Sequence, residues 1–370
     1  MRGVDSDNSS YRSVLLDHPG AQPALGPDAA ADTAGVAWHY GGPLVEQRAV
    51  EGPGVVIDRS HRTVVTVSGP DAADYLNKLL SQKLDDVADG YSAAALNLDA
   101  QGRILHHADL TVSDGGVFRL DLPAASAETL VDYLERMKFW SEVEIETTDL
   151  AILTVLGATP PPPPEASFVR GVDWRGPVRT DIAVPHDRIG AVVDALCAPG
   201  NGENGLRLAG LMAWTAERVK ALEPEVAADL DPRSIPHEVP HWIGTEGHPG
   251  AVHLEKGCYR GQETVSRVHN LGRSPRSLVL LHLDGSAPEL PATGDPVVDR
   301  GRTVGRIGTV VHDCDYGPIA LALVKRSAQH SGSLSAGDGV AVSVDPDSIE
   351  RERGVQPGRA AINRLKGITD

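Results

Sequence analysis

The chain has 370 residues, with 34 Lys and Arg against 51 Asp and Glu, a formal charge of −17. At roughly 100–200 residues per domain the length gives two or three domains, and 41% apolar with 23% charged residues describes a folded chain rather than a disordered one. The acid excess excludes broad electrostatic binding to nucleic acid or anionic membrane, so an anionic partner must meet a local basic patch.

In chain order, residues 1–35 are an Ala, Asp, Pro and Gly mixture without periodicity and are expected to form a disordered tail, with order beginning near Val36-Ala37-Trp38-His39-Tyr40. No apolar stretch follows the first residues, so no secretory leader is expected, and no run approaches the ~20 residues of a membrane helix. A cytoplasmic location follows. The β-branched run Thr63–Val67 predicts a strand, and Ala72, Leu76, Leu79 and Leu80 recur on one helical face. Ile104–Val112 and Val117–Leu122 flank Asp114-Gly115-Gly116, which predicts a hairpin. Leu130, Leu134 and Met137 mark a second helix, and strands are expected near Val143–Thr147 and Ala151–Leu156. The five prolines Pro160–Pro164 predict a stiff surface loop. Further helices carry Ile189, Val192, Val193 and Leu196, then Met212, Val219 and Leu222. Glu217 and Arg218 on the latter are expected to be a solvated pair. From Ser277 onward short β runs, Leu278–Leu283, Thr303–Val311, Ile319–Val324 and Val340–Val344, read as a small barrel or sandwich. The expected organisation is a body over 36–275, a β-domain over 276–346 and a flexible basic tail over 347–370.

Two short motifs match by composition but lack their structural context. Gly200-Asn201-Gly202-Glu203-Asn204-Gly205 fits G-x-G-x-x-G, but a helix rather than a strand precedes it, which favours an ordinary loop. His237-Glu238-Val239-Pro240-His241 fits the zinc-hydrolase H-E-x-x-H. Pro240 interrupts the helix that zinc ligation needs, and Met1, Met137 and Met212 all precede it, so no downstream Met-turn follows. The three cysteines, Cys197, Cys258 and Cys314, are too widely spaced for a metal knuckle or a disulfide framework.

Lys256-Gly257-Cys258-Tyr259-Arg260-Gly261-Gln262-Glu263 carries more information. From Lys256 to Arg276 there are five basic residues (Lys256, Arg260, Arg267, Arg273, Arg276) and one acidic, Glu263, a local +4 in a chain of −17. Such an island suits a ligand bearing carboxylates or phosphates, with Arg267 and Arg273 as candidate anion contacts. Lys256 and Arg260, if close, favour the Cys258 thiolate, and the glycines permit close backbone approach. The same composition also fits a small buried cysteine in an ordinary surface loop.

This segment resembles the K-G-C-[FY]-x-G-Q-E motif of the YgfZ family, folate-binding relatives of the glycine-cleavage T-protein, an aminomethyltransferase. The resemblance extends to His39-Tyr40-Gly41, to Ser68-Gly69-Pro70-Asp71-Ala72-Ala73-Asp74-Tyr75-Leu76, to Asp99-Ala100-Gln101-Gly102-Arg103, and to Gly305–Val311 with Ile319–Val324. It implies an α+β fold: two intertwined α+β subdomains and a C-terminal β-barrel in a cloverleaf around a channel for tetrahydrofolate or a derivative. It also implies support of iron–sulfur enzymes or their assembly factors, linked to tRNA modification without direct nucleic-acid binding, with Cys258 as the functional thiol. Lys256, Gly257, Tyr259, Arg260, Gly261, Gln262 and Glu263 would then be folate-binding residues. His106, His107 and Glu238 are candidate pocket residues. Where the T-protein carries an aspartate at the folate's reactive nitrogen, this chain has Gly102-Arg103-Ile104-Leu105-His106-His107, which speaks against typical aminomethyl transfer and leaves other folate-dependent one-carbon chemistry open. On the strand the two histidines are also readable as simple alternation. A single cysteine cannot hold a cluster, so no intrinsic iron–sulfur centre or other metal is expected.

Overall fold

The computed structural model describes residues 11–25, 33–199 and 205–350. From the N-terminal side the chain forms α1 (Pro43–Arg48), β1 (Val55–Asp58), β2 (Arg62–Ser68), α2 (Ala72–Leu79) and β3 (Ser92–Leu98). β4 (Ile104–Ser113) and β5 (Val117–Pro123) make the hairpin read from Asp114-Gly115-Gly116, and α3 (Ala124–Met137) and β6 (Glu144–Thr147) follow. Next come β7 (Leu150–Leu156), β8 (Phe168–Val172), β9 (Arg179–Pro185), α4 (Ile189–Cys197), β10 (Arg207–Ala209), α5 (Leu211–Lys220), α6 (Val226–Asp229) and α7 (Gln262–Leu271). The last six strands are β11 (Arg276–Leu283), β12 (Pro296–Asp299), β13 (Arg302–Asp313), β14 (Gly317–Lys325), β15 (Leu334–Ala336) and β16 (Val340–Val344). No helix among the described residues is long and apolar enough to cross a membrane.

The first sheet has the order β10-β1-β7-β9-β8 and the second β3-β4-β5-β2-β6. β1 and β2 are separated by Arg59-Ser60-His61 alone yet enter different sheets, and β7 returns the chain to the first sheet only after the second is complete. The two α+β units are therefore intertwined. α2 and α3 cover the second sheet with Leu76, Leu130 and Leu134, while α4 covers the first with Ile189, Val192 and Val193. The last six strands close a barrel in the order β11-β14-β13-β12-β15-β16, filled by Val279, Leu281, Ile307 and Val324.

One terminal expectation needs correction. Residues 11–25 are not a loose tail: Leu15 is buried against Val56 and Val193, Tyr11 donates its hydroxyl to Ser60 Oγ at 2.6 Å, and Gln22 bridges to His39. A single leucine and two hydroxyls suffice to dock this segment, and they are invisible in an average over its composition. At the other end Glu350 accepts from Arg326 at 2.9 Å; the rest of the basic tail lies outside the described residues, as does Gly200–Gly205 except for Gly205.

The inner faces of the two body sheets meet through charge. Arg62 (β2) donates to Asp121 (β5) at 2.9 Å, and Arg179 (β9) donates to both Asp181 (β9) and Asp109 (β4) at 2.6 Å. Arg170 (β8) donates to Asp181 at 2.8 Å and reaches across to Asp121. Thr154 (β7) donates to Asp181 at 2.7 Å and accepts from Arg59. All are buried, with Asp121 and Asp181 wholly so. Burial alone would raise the Asp181 carboxyl, but Arg179, Arg170 and Arg59 hold it well below the usual carboxylate range. Removing one member strands its partners in a dry layer. Asp181→Ala is expected to destabilise the protein by about 3–5 kcal/mol in urea unfolding, whereas Asp17→Ala, in the exposed Arg12–Asp17 pair, should leave the midpoint unchanged. Equal effects would show that the layer does not hold the sheets.

Candidate functional site

The eight-residue motif forms a rigid joint. Lys256 is buried, and its ammonium donates to the carbonyls of Leu80 at 2.6 Å, Gln82 at 2.9 Å and Asn77, which gather at the C-terminal end of α2. A cation there meets the unpaired carbonyls and the negative pole of the helix. Burial lowers this amine to about 8. Three N–H donors meet three acceptors, so none is left for a ligand carboxylate. Tyr259 is buried in the core, and Arg260 lies with its guanidinium carbon 5.8 Å from the centre of the Tyr133 ring. Gly261 takes φ +83 at the start of α7, where a Cβ would stand 2.7 Å from the Asp99 carbonyl oxygen and 2.8 Å from Gly102 Cα. Gly102, φ +75, has no room either: its Cβ would meet Thr264 at 2.8 Å. Two motifs whose glycines are 159 residues apart in the sequence, Gly102 and Gly261, thus interlock. Gln262 accepts from the Tyr259 amide, Glu263, Arg267 and Arg273 are exposed on or after α7, and Gly257 and Cys258 face solvent.

A separate cavity of about 730 Å³ opens where the second sheet, α5, α6 and the barrel meet. Its wall includes Trp38, Met212 and Trp214, the α6 residues Val226–Ala228, the barrel loop Glu289–Thr293 and Thr309–His312 of β13. Trp214 is braced from the ion layer: Arg59 lies 4.0 Å and Arg179 4.9 Å from its ring centre, and Trp174 stacks on it at 5.4 Å. Such cation–π and stacking contacts fix the plane of the indole. Arg218, the one lysine or arginine among the described lining residues, is committed to Asp229 at 2.8 Å and Thr309 at 2.6 Å. Glu225 and Glu289 contribute carboxylates.

His106 and His107 are both in the cavity wall. His106 pairs Nδ1 with Asn97 at 3.1 Å and Nε2 with Thr129 at 2.8 Å, and burial pushes its pKa down to about 4, so the ring is neutral at pH 7. His107 stacks on Trp242 with ring centres 4.6 Å apart; burial lowers its pKa against the pull of Glu223 and Asp109. Glu238 is not in the wall. It is buried and accepts from Arg276 at 2.6 Å, and Arg276 also holds Asp231. Arg276 is therefore engaged by carboxylates, and no member of the basic island lines the cavity. The expectation of a positive pocket built around Cys258 is thereby corrected in part: Lys256 and Arg276 are engaged by carbonyls and carboxylates, while Arg260, Arg267 and Arg273 are exposed outside the cavity wall.

Glu217 and Arg218 are buried rather than solvated, because α5 is enclosed between α1, β1 and the barrel; Glu217 pairs with Lys220 at 2.9 Å. The H-E-x-x-H stretch forms two short 3₁₀ turns instead of one helix, and its side chains diverge: His241 bonds Glu223 at 2.9 Å, Glu238 bonds Arg276, and His237 neighbours His269. The zinc-hydrolase alternative fails on that divergence. Sequence reasoning missed Trp38, Met212, Trp214 and the barrel side of the cavity. The rarity of tryptophan, five in the chain, was the available signal, since two of the five line this space. For the joint, Lys256→Met leaves three buried carbonyls unpaired and should cost about 3 kcal/mol or more in urea unfolding, with ligand affinity of the folded protein unchanged. Undiminished stability with weakened ligand binding would return Lys256 to a ligand-holding role.

Comparison with known proteins agrees with this architecture. Residues 276–350 match the model of the CAF17 C-terminal beta-barrel domain. The chain is 25% identical over 311 residues to the tRNA-modifying protein YgfZ of Klebsiella pneumoniae, covering 78% of this chain and 86% of that one. It is 28% identical over 229 residues to the mitochondrial iron-sulfur cluster assembly factor IBA57 homolog of Pyricularia oryzae, covering 57% of this chain and about half (53%) of that protein's length. The crystal structure of the glycine cleavage system aminomethyltransferase T from Bartonella henselae superposes with a TM-score of 0.73 at 19% identity, covering 91% of this chain and 97% of that one, a likeness of fold. The chain is thus similar to YgfZ and IBA57 proteins and shares the aminomethyltransferase fold, with a C-terminal barrel that matches the CAF17 type.

Proposed function

We propose that this protein binds tetrahydrofolate or a derivative in the central cavity and supports the assembly or repair of iron–sulfur enzymes, including those of tRNA modification, with Cys258 as its working thiol. The observation that carries this reading is the pairing of an enclosed, indole-walled cavity with a solvent-facing cysteine on a rigid joint. The names of its YgfZ and IBA57 relatives point to the iron–sulfur and tRNA side of the role. The cavity fits a reduced pterin in size and in the carboxylates of Glu225 and Glu289, which can accept from pterin N–H groups. Among the described residues it offers no uncommitted cation for the glutamate end, so the fit rests on the ring.

Bound there, tetrahydrofolate supplies one-carbon chemistry. The chain's own part is to orient the ring and keep water out. His106 is neutral with both nitrogens engaged, and neither it nor His107 supplies the anion that typical aminomethyl transfer uses; that alternative has no carboxylate at this point of β4. Cys258 acts outside the cavity, on a protein partner that reaches the surface. Titration of the purified protein with tetrahydrofolate should saturate, and Met212→Trp, which fills the cavity, should weaken binding by at least about tenfold (1.4 kcal/mol). Cys258→Ser should bind normally yet fail to restore iron–sulfur enzyme activity in cells lacking the gene. Absence of saturable binding removes the cofactor, and full restoration by the serine variant removes the thiol.

A further inference from the structure

We propose that the loop closing α3, with Phe139 and Trp140 at its tip, is a docking element for a partner protein that offers an apolar pocket rimmed by lysine and arginine. Trp140 is 96% exposed and Phe139 77%, in a chain that holds only three phenylalanines and five tryptophans. Burying such rings is the strongest apolar contribution a side chain can make, so an adjacent pair left in water marks an interaction site. Phe139 takes φ +41, a backbone conformation costly for a bulky L residue. The loop behind the pair is fixed. Ser141 N donates to the Lys138 carbonyl at 2.8 Å, Glu142 N donates to Asp71 Oδ2 at 2.8 Å, and Val143 is buried. Gly69 approaches so closely that a Cβ would stand 2.3 Å from the Glu142 oxygen. The aromatic pair is therefore presented on a rigid base, which lowers the ordering cost of binding.

Charge selects the occupant. Glu135, Glu142, Glu144 and Glu146 are exposed beside the pair, against Arg136 and the half-buried Lys138. Across a two-fold axis a second copy would set these carboxylates against themselves, and an anionic lipid surface or nucleic acid would be repelled by them. A protein pocket with a basic rim is complementary. The element also follows the helix that carries Tyr133, on which Arg260 rests; the last residue of that helix, Met137, is about 6 Å of helix axis beyond Tyr133. A partner held there comes close to the Cys258 joint. The docking element stands whether or not the cavity holds a folate.

The test places a photo-cross-linker in the full chain, Phe139→p-benzoylphenylalanine, in the cells that make the protein. One discrete heterologous adduct is expected, lost in Trp140→Ser and in Glu144→Lys/Glu146→Lys, although both variants keep the wild-type melting temperature. The partner, identified from the adduct and purified, should bind the wild-type chain at least about tenfold more tightly than Trp140→Ser, and less tightly as salt rises. The proposal is overturned by no adduct, by a homodimeric adduct, or by an adduct or affinity indifferent to Trp140. Trp140-dependent sedimentation with phosphatidylserine–phosphatidylcholine vesicles would likewise overturn it by assigning the element to a membrane.

Discussion

The layer of arginines and aspartates between the two body sheets is the constraint on which the rest depends. Arg62, Asp109 and Asp121 come from one sheet, and Arg170, Arg179 and Asp181 from the other, so the sheets can meet in one register only. A hydrophobic interface tolerates sliding by one residue pair far better than a set of buried charges, each of which needs its counterpart. The layer does not stop at the sheets. Arg59 and Arg179 continue it onto Trp214, whose ring is part of the cavity wall. What fixes the intertwined fold thus also fixes part of the cavity wall.

A second ion cluster ties the barrel to this frame. Arg218 on α5 joins Asp229 of α6 to Thr309 of β13, and Lys220 joins Glu217 to Asp313 at the end of that strand. The surfaces around the cavity are thus pinned by paired charge in addition to the apolar core that runs from β1 and β3 through α5 into the barrel.

The regular elements were legible because their periodicity is local. The spacing of Leu76, Leu79, Leu130, Leu134, Val192 and Leu196 yields α2, α3 and α4, and the glycine turn after Asp114 yields β4 and β5. β8 and β9 were not legible, since inward-facing Arg170, Arg179 and Asp181 read in sequence as solvent-facing positions. α7 was hidden behind a polar motif whose last two residues, Gln262 and Glu263, open the helix, with only Val265 and a left-handed Gly261 to mark its start. The motif itself led to the right relatives, yet its physics was misread. Lys256, Arg260 and Arg276 are cations in the sequence, but only the fold shows that carbonyls, a tyrosine ring and two carboxylates already claim them.

The proposed function divides the work between a cavity and an exposed thiol, joined by the Gly102–Gly261 contact but not sharing a wall. The most direct test is the rate at which iodoacetamide alkylates Cys258, followed by peptide mass spectrometry, with and without saturating tetrahydrofolate. If the two sites are separate, the rate is unchanged by the ligand. A several-fold protection of Cys258 would place the sulfur in the ligand site and contradict the account.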